Sequence, residues 1–307
     1  MAQGLLWHGL AEGTRNRYSS IVAQFTRFCS GLSVSDPFPA STPDLCLWVA
    51  HLSMRPVFHT TIKNYLSALA SHHTDMGLAS PIAGNRQLER VVRSVKRFQG
   101  LNSPVPPKFP LTVDVVRRIS QWVPDSLDGS MLRAAMWVGV AGLFRTGEFA
   151  IESAVRPDPH RLLTLSSVTF SASAPKLVTV RLKQSKTDPF RAGVDVRVFL
   201  REAVEALSAY LKRRGNAGSE DPLFAWSNGH PLERSEIVDA VTRLLVRAGV
   251  DTSGHKGVSF RKGGASSLAN AGVEDRIVKA MGRWRSWSYA RYIHMSDTAL
   301  ATIFAKL

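Results

Sequence analysis

Cysteine is nearly absent from the chain: Cys29 and Cys46 are the only two among 307 residues. They form no CxxC pair, and no Cys/His cluster stands at metal-ligand spacing. This excludes a disulfide framework and a structural zinc and leaves stability to packing. No apolar run reaches the roughly 18 residues of a membrane span, so a soluble protein is expected. The amino-terminal stretch "MAQGLLWHGLAEGTRNRY" lacks both a basic region ahead of its short apolar part and a small-residue cleavage site. Intracellular location is therefore expected, in a nucleus if the host is eukaryotic and in cytoplasm or nucleoid if it is bacterial. Internal repeats and low-complexity tracts are missing, as is the carboxylate cluster that a two-metal nuclease needs. Acidic residues are scarce beside basic ones: 24 Asp+Glu face 39 Lys+Arg, a formal net charge of +15. Such an excess points to a polyanionic partner. It is also spread along the chain, with 11 basic and 5 acidic residues up to position 110 and 28 and 19 beyond it.

The length suits two domains, and the fold class expected is mainly α with a small β-sheet (α+β). Residues 1–103 read as an all-α domain of four helices. In "EGTRNRYSSIVAQFTRFC", Tyr18, Ile21, Val22, Phe25 and Phe28 repeat at the spacing of one helical face. In "NRQLERVVRSVKRFQ", Leu88, Val91, Val92 and Val95 form a core stripe, while Arg86, Arg90, Arg93 and Arg97 recur at intervals of four, three and four on the opposite face. A solvated charged face is the ordinary reading of such a stripe. Four arginines exceed what solubility requires, and phosphate contact is the expectation here. The proline-rich "LNSPVPPKFPLT" places an extended linker at 104–111. A second domain, 112–307, opens with helices near 112–123 and 129–143. Three short strands follow in "LLTLSSVTFS", "KLVTVRLKQS" and "VDVRVFL", and then helices over 201–214, 234–248, 260–271 and 273–281, the last ending at Gly282 in a C′ role.

Four separated stretches carry the chemistry. An apolar helix, "MWVGVAGLFRTGEFA", runs into Arg145 with Glu148 three residues on; "KQSKTD" presents Lys186 in a turn; "VSFRKGGASSLANAG" starts a helix with Arg261; and "MGRWRSWSYARYIH" contains Tyr292. Taken singly, each has a plain structural reading. Together and in this order, the chain resembles the tyrosine recombinase family of the phage integrase type, nearest to the recombinases of DIRS-like and crypton-like mobile elements.

That resemblance covers nearly the whole chain. It implies a helical core-binding domain followed by a catalytic domain, and a site-specific recombinase or integrase that cleaves and rejoins DNA through a covalent 3′-phosphotyrosyl intermediate, without cofactor or metal. It makes Arg145 and Arg261 the catalytic arginines, Lys186 the lysine of a β-turn, Tyr292 the nucleophile and Glu148 a supporting acid. The family's His/Trp position falls on Trp284, with Arg283 the alternative. Where a histidine usually stands, three residues before the second arginine, this chain has Val258, and His255 offers a substitute imidazole. Tyr289 is the competing nucleophile. The partners implied are double-stranded DNA and three further copies of the chain in a homotetramer on synapsed sites, with the terminal segment "SDTALATIFAKL" as a short amphipathic helix that docks on its own domain or on a neighbour.

Physical chemistry supports the same grouping. A phosphodiester concentrates charge on its non-bridging oxygens at a pentavalent transition state, and two fixed guanidinium groups can bind that charge bidentately. Tyrosine attack then stores the bond energy, and a lysine is fit to protonate the departing 5′ oxygen. Val258 leaves a rival reading open, a weak or inactive DNA-binding protein derived from such an enzyme.

Overall fold

A computed structural model of the chain describes residues 4, 6, 8–102, 108–153, 162–174, 176–183, 192–253, 255, 257–286 and 289–290. The chain divides into two compact units, Met1–Val105 and Pro106–Leu307, each with an apolar core of its own. Among the described residues, no helix is long and apolar enough to cross a membrane.

The first unit holds helices α1 (Glu12–Gly31), α2 (Thr42–Ser53), α3 (His59–Asp75) and α4 (Arg86–Asn102). Each helix contributes apolar residues spaced three and four apart: Ile21 and Phe25, Leu45 and Trp48, Ile62 and Leu66, Leu88 and Val92. Ser41 caps α2 by accepting the Asp44 N–H at 3.1 Å. Phe25 meets Trp48 edge-on at 5.0 Å, the aromatic centre of this core. On α4, Leu88, Val92 and Val95 are buried and Arg86, Arg90, Arg93 and Arg97 are exposed. None of these four arginines has an ion-pair partner among the described residues.

The second unit begins with strand β1 (Phe109–Pro110) and helices α5 (Val113–Ser120), α6 (Leu127–Ala141) and the single turn α7 (Thr146–Phe149). Strands β2 (Val168–Phe170), β3 (Val178–Leu182) and β4 (Val194–Val198) form an antiparallel sheet with β3 in the middle. Val178, Val180 and Leu182 face the core from β3, following the two-residue period of a strand with one buried face. Helices α8 (Arg201–Arg214) and α9 (Arg234–Arg247) follow, then β5 (Val258–Ser259), α10 (Phe260–Asn270) and α11 (Asp275–Met281). The second half of α6 is apolar on all sides because it lies inside: Ala134, Ala135, Met136 and Val138 are all fully buried.

The linker expected to end at residue 111 ends sooner. Phe109 and Pro110 pair in parallel with Val258 and Ser259, with Phe109 N–H donating to Gly257 O at 2.8 Å and Leu111 N–H to Ser259 O at 3.2 Å. Leu111 is fully buried. Pro110 fits because the flanking residues 109 and 111 supply the donors that a proline lacks. Glycines then let α10 settle on this segment and on α6. A Cβ on Gly263 would lie 1.8 Å from Leu111 O, and one on Gly264 would lie 2.3 Å from Val140 O. Both obstacles are backbone, which has no rotamer with which to yield. Gly263→Ala is accordingly expected to cost about 1 to 3 kcal/mol by overpacking, read as a lower denaturant midpoint. Gly147→Ala, where nothing lies within 4 Å, is the control and should leave the midpoint nearly unchanged.

Candidate active site

After α6 the chain turns sharply. Gly142 caps the helix, with Phe144 N–H returning to Gly139 O at 2.9 Å, and Leu143 takes a left-handed φ of 49°. A Cβ on Gly142 would lie 2.2 Å from the Phe144 ring, so this glycine makes room for a buried aromatic. Arg145 therefore does not extend the buried helix, as its place after an apolar run suggests, but stands at the N-cap of α7. Glu148, the third residue of that turn, reaches back to accept the Arg145 backbone N–H at 2.9 Å, one half of a capping box.

The Glu148 carboxylate is buried and gathers three guanidinium groups. Arg145 Nη1 donates to Oε1 at 2.8 Å, Arg261 Nη2 to Oε1 and Oε2 at 3.1 and 2.9 Å, and Arg283 Nη2 to Oε2 at 2.8 Å. Among the described residues, three positive charges around one negative leave an excess of two, a site complementary to an anion. The arginines differ in access. The Arg261 side chain is 2% exposed, Arg283 15% and Arg145 32%. Arg145 keeps its Nε and Nη2 without a protein acceptor among the described residues, and it is the hand this site offers outward.

Arg261 enters from the first turn of α10, whose N-cap Ser259 accepts the Lys262 N–H at 3.2 Å. Its Nε donates to Leu143 O at 2.9 Å, and its guanidinium lies 5.5 Å from the centre of the Trp284 ring. Arg283 follows α11. Its Nη1 donates to Gly142 O at 3.0 Å and Met281 O at 3.4 Å, and its Nη2 to Leu143 O at 3.3 Å as well as to Glu148. The guanidinium lies over the Phe144 ring at 5.3 Å.

The close of α11 differs from the expected one. Trp284 N–H bonds to Lys279 O and Arg283 N–H to Ala280 O, a Schellman pattern with Arg283 at C′ and a left-handed φ of 56°, while Gly282 is right-handed. Gly282 is required for space, since its Cβ would fall 1.5 Å from the Trp284 ring. The strain of about 1 to 2 kcal/mol for a left-handed L residue is borne by Arg283.

Electrostatics follow this geometry. Burial pushes the Glu148 carboxyl up, yet Arg261, Arg283 and Arg145, with the Arg145 backbone N–H, bring it below the ordinary carboxylate range. Burial lowers the Arg283 guanidinium and Glu148 opposes the shift; as an arginine it remains charged.

The other candidates separate. Trp284 is 8% exposed and packs on Arg261 and, at 6.3 Å, on Tyr289. Tyr289 is buried and donates its hydroxyl to Asp275 Oδ2 at 2.8 Å, and burial with that carboxylate raises its pKa, the wrong direction for a nucleophile. Val258 is buried in the main core of the unit. His255 stands edge-on to Phe109 at 5.2 Å with Nδ1 against Ser253 O, so these contacts tie its ring to the β1 segment and its own loop rather than to the arginine cluster. Lys186, Tyr292 and the terminal segment 296–307 lie outside the described residues. What the sequence reading missed are the carbonyls of Gly142 and Leu143, which between them accept from Arg261 and Arg283. Their one trace in sequence is the glycine before "LFRTGE".

A family-level sequence comparison matches residues 111–299 to the phage integrase family. The chain belongs to that family, and by class it is a tyrosine-type site-specific DNA recombinase. No curated protein sequence matches it. Several solved structures share the fold. A lambda integrase dimer bound to a COC′ core site is 16% identical over 94% of this chain and 91% of that one, with a TM-score of 0.63. The Tn1549 transposon integrase in complex with transposon right end DNA is 16% identical over 99% and 97%, with a TM-score of 0.61. A lambda integrase tetramer bound to a Holliday junction is 16% identical over 93% and 72%, with a TM-score of 0.57.

Removing the charge of Glu148 tests its part. Glu148→Gln leaves three guanidinium groups around a neutral amide and is expected to cost about 3 to 5 kcal/mol, the loss typical of a broken buried pair. Because the folded pKa is depressed, the contribution is full above the unfolded value near about 4.3 and is lost as pH falls through the lower folded value. Denaturant midpoints across pH should therefore show a gap between the two proteins that is constant from pH 8 to 5 and closes in acid.

Proposed function

We propose that this chain cleaves and rejoins DNA strands with Arg145 and Arg261 as its phosphate clamp and Tyr292 as its nucleophile. The observation that carries the reading is the buried Glu148 carboxylate, which fixes guanidinium groups from α7, α10 and the segment after α11 in one cluster of net charge +2. A preorganised cluster of this kind meets the charge that develops on the non-bridging oxygens without rearranging as the reaction proceeds. The Tyr292 hydroxyl oxygen bonds to phosphorus as the bond to the 5′ oxygen breaks. The phenol gives up one proton and the departing oxygen takes one, for which Lys186 is the donor. Tyr289 commits its hydroxyl to Asp275, which favours Tyr292, the other tyrosine of this motif, as the nucleophile.

The exposed arginine stripe of α4, without acidic partners among the described residues, serves in the same reading as a contact to the backbone of duplex DNA. Within the family, the order and spacing of the motifs favour a place beside the DIRS-like and crypton-like mobile-element recombinases. Four copies would act on two synapsed sites, an arrangement for which the lambda integrase tetramer on a Holliday junction is a precedent. The protein then works wherever its host keeps DNA.

A second reading is a recombinase-derived DNA-binding protein that cuts slowly or not at all. Val258 favours it: packed in the core of the unit, valine supplies no hydrogen bond to a phosphate, and a missing donor of this kind slows such chemistry by roughly 10² to 10³.

Nicked duplexes made from the DNA flanking the gene decide between the two. Under the first reading, the wild-type chain gives a protein–DNA adduct that survives SDS, while Tyr292→Phe binds equally and gives none. Adduct formation by Tyr292→Phe and its loss in Tyr289→Phe would reverse the assignment, and tight binding with no adduct from wild type would favour the second reading. For the α4 stripe, Arg90→Gln with Arg93→Gln should weaken binding to unrelated duplexes alike and flatten the plot of log K against log salt by about 0.9 for each lost contact. An unchanged slope would return the stripe to a merely solvated face.

A further inference from the structure

We infer that Arg283 is a positioning residue whose guanidinium ties the turn between α6 and α7 to Glu148, setting Arg145 against Arg261, rather than binding the scissile phosphate itself. The inference rests on the recombinase reading above and departs from the alternative that would give Arg283 the family's His/Trp place at the phosphate.

The first ground is a count of donors. An arginine has five N–H groups, and in Arg283 Nη1 serves Gly142 O and Met281 O while Nη2 serves Leu143 O and Glu148 Oε2. Four of the five are spent on the protein. Those acceptors lie in the turn after α6, on the Glu148 side chain and at the end of α11, so one planar group bridges two pieces of backbone and a carboxylate, as a guanidinium can and an ammonium cannot. The second ground is access. One face of the guanidinium is covered by the Phe144 ring at 5.3 Å. The third is backbone conformation. Arg283 occupies the left-handed C′ position of a Schellman turn where glycine is usual, and Leu143, whose carbonyl it shares with Arg261, is left-handed as well. Two strained residues face one another across one hydrogen bond, and strain of this kind persists where the surroundings over-determine it. Without the tie, Arg145 and Arg261 lose a common reference, and a misplacement of about 1 Å can slow a reaction by roughly 10².

The full-length chain provides the test, using the nicked duplexes made from the DNA flanking the gene. Arg283→Met keeps the apolar stem on Phe144 and removes every donor; Arg283→Lys keeps the charge but loses the fork. Both should cleave about 10²-fold more slowly than wild type with DNA affinity within about twofold, because neither touches a phosphate contact. Recovery of cleavage by Arg283→Lys would overturn the inference, since a lysine point charge serves well against phosphate. Wild-type cleavage by Arg283→Met would also overturn it. A second measurement needs no cleavage: the Glu148 carboxyl, facing Arg145, Arg261 and Arg283, is followed by carbon NMR titration of the free protein. Loss of the tie in Arg283→Met should move that titration to higher pH, and an unmoved titration would refute the contact. If wild type forms no adduct, the recombinase reading falls and this titration still decides whether Arg283 holds Glu148.

Discussion

One carboxylate holds this site together. Glu148 lies where water cannot compensate it, and it remains ionised because Arg145, Arg261 and Arg283 converge on its two oxygens. Removing charges from water is costly, so a buried cluster of this sort is weak evidence for stability and stronger evidence for specificity of arrangement. Here the arrangement has a consequence. With three cations and one anion, the cluster is electrostatically incomplete, and an anionic ligand that meets the outward Arg145 completes it. A phosphodiester in a DNA strand has the charge and the paired oxygens for that place.

Around the carboxylate Arg261 and Arg283 are held by backbone as well as by Glu148. Leu143 O receives both Arg261 and Arg283, Gly142 O receives Arg283, and the Glu148 carboxylate receives the Arg145 main-chain N–H. These carbonyls belong to the turn that closes α6, Gly142 at its C-cap and Leu143 one residue beyond, and the site draws its acceptors from that turn. Since Val140, Leu143 and Phe144 are buried around that turn, those carbonyls have little freedom to move. The guanidinium groups inherit that rigidity.

Much of this was legible in the sequence, for identifiable reasons. The helices of both units show because three- and four-residue spacing of apolar residues is dictated by burial, as with Leu88, Val92 and Val95 on α4. Arg145, Glu148 and Arg261 show through their order and neighbours, and the structure brings them together. The rest depends on contacts that leave no period. Strand β1 is two residues long and contains a proline, so it reads as linker. Gly282 reads as a left-handed cap, but its lack of a side chain answers to the Trp284 ring, and the left-handed turn passes to Arg283. That displacement is what carries the Arg283 guanidinium to Glu148, and a spacing rule has no means of registering it.

The pairing of β1 with β5 has a consequence for how the site is anchored. Arg261 lies two residues after Ser259, and Ser259 is tied to the backbone at Pro110 and Leu111 just as the chain enters the second unit. Lys262 Nζ donates to Lys108 O, Val113 N–H donates to Ser267 Oγ, and Gly263 admits the Leu111 backbone to a distance that no other residue allows. Residues 108–111 are therefore part of the footing of Arg261. Because main-chain atoms on both sides make this footing, substitutions that keep apolar character at 109 or 258 can spare it, whereas adding a single carbon at 263 forces α10 away from Leu111. The position of Arg261 thus depends on a residue with no chemistry of its own, through the space that residue leaves empty.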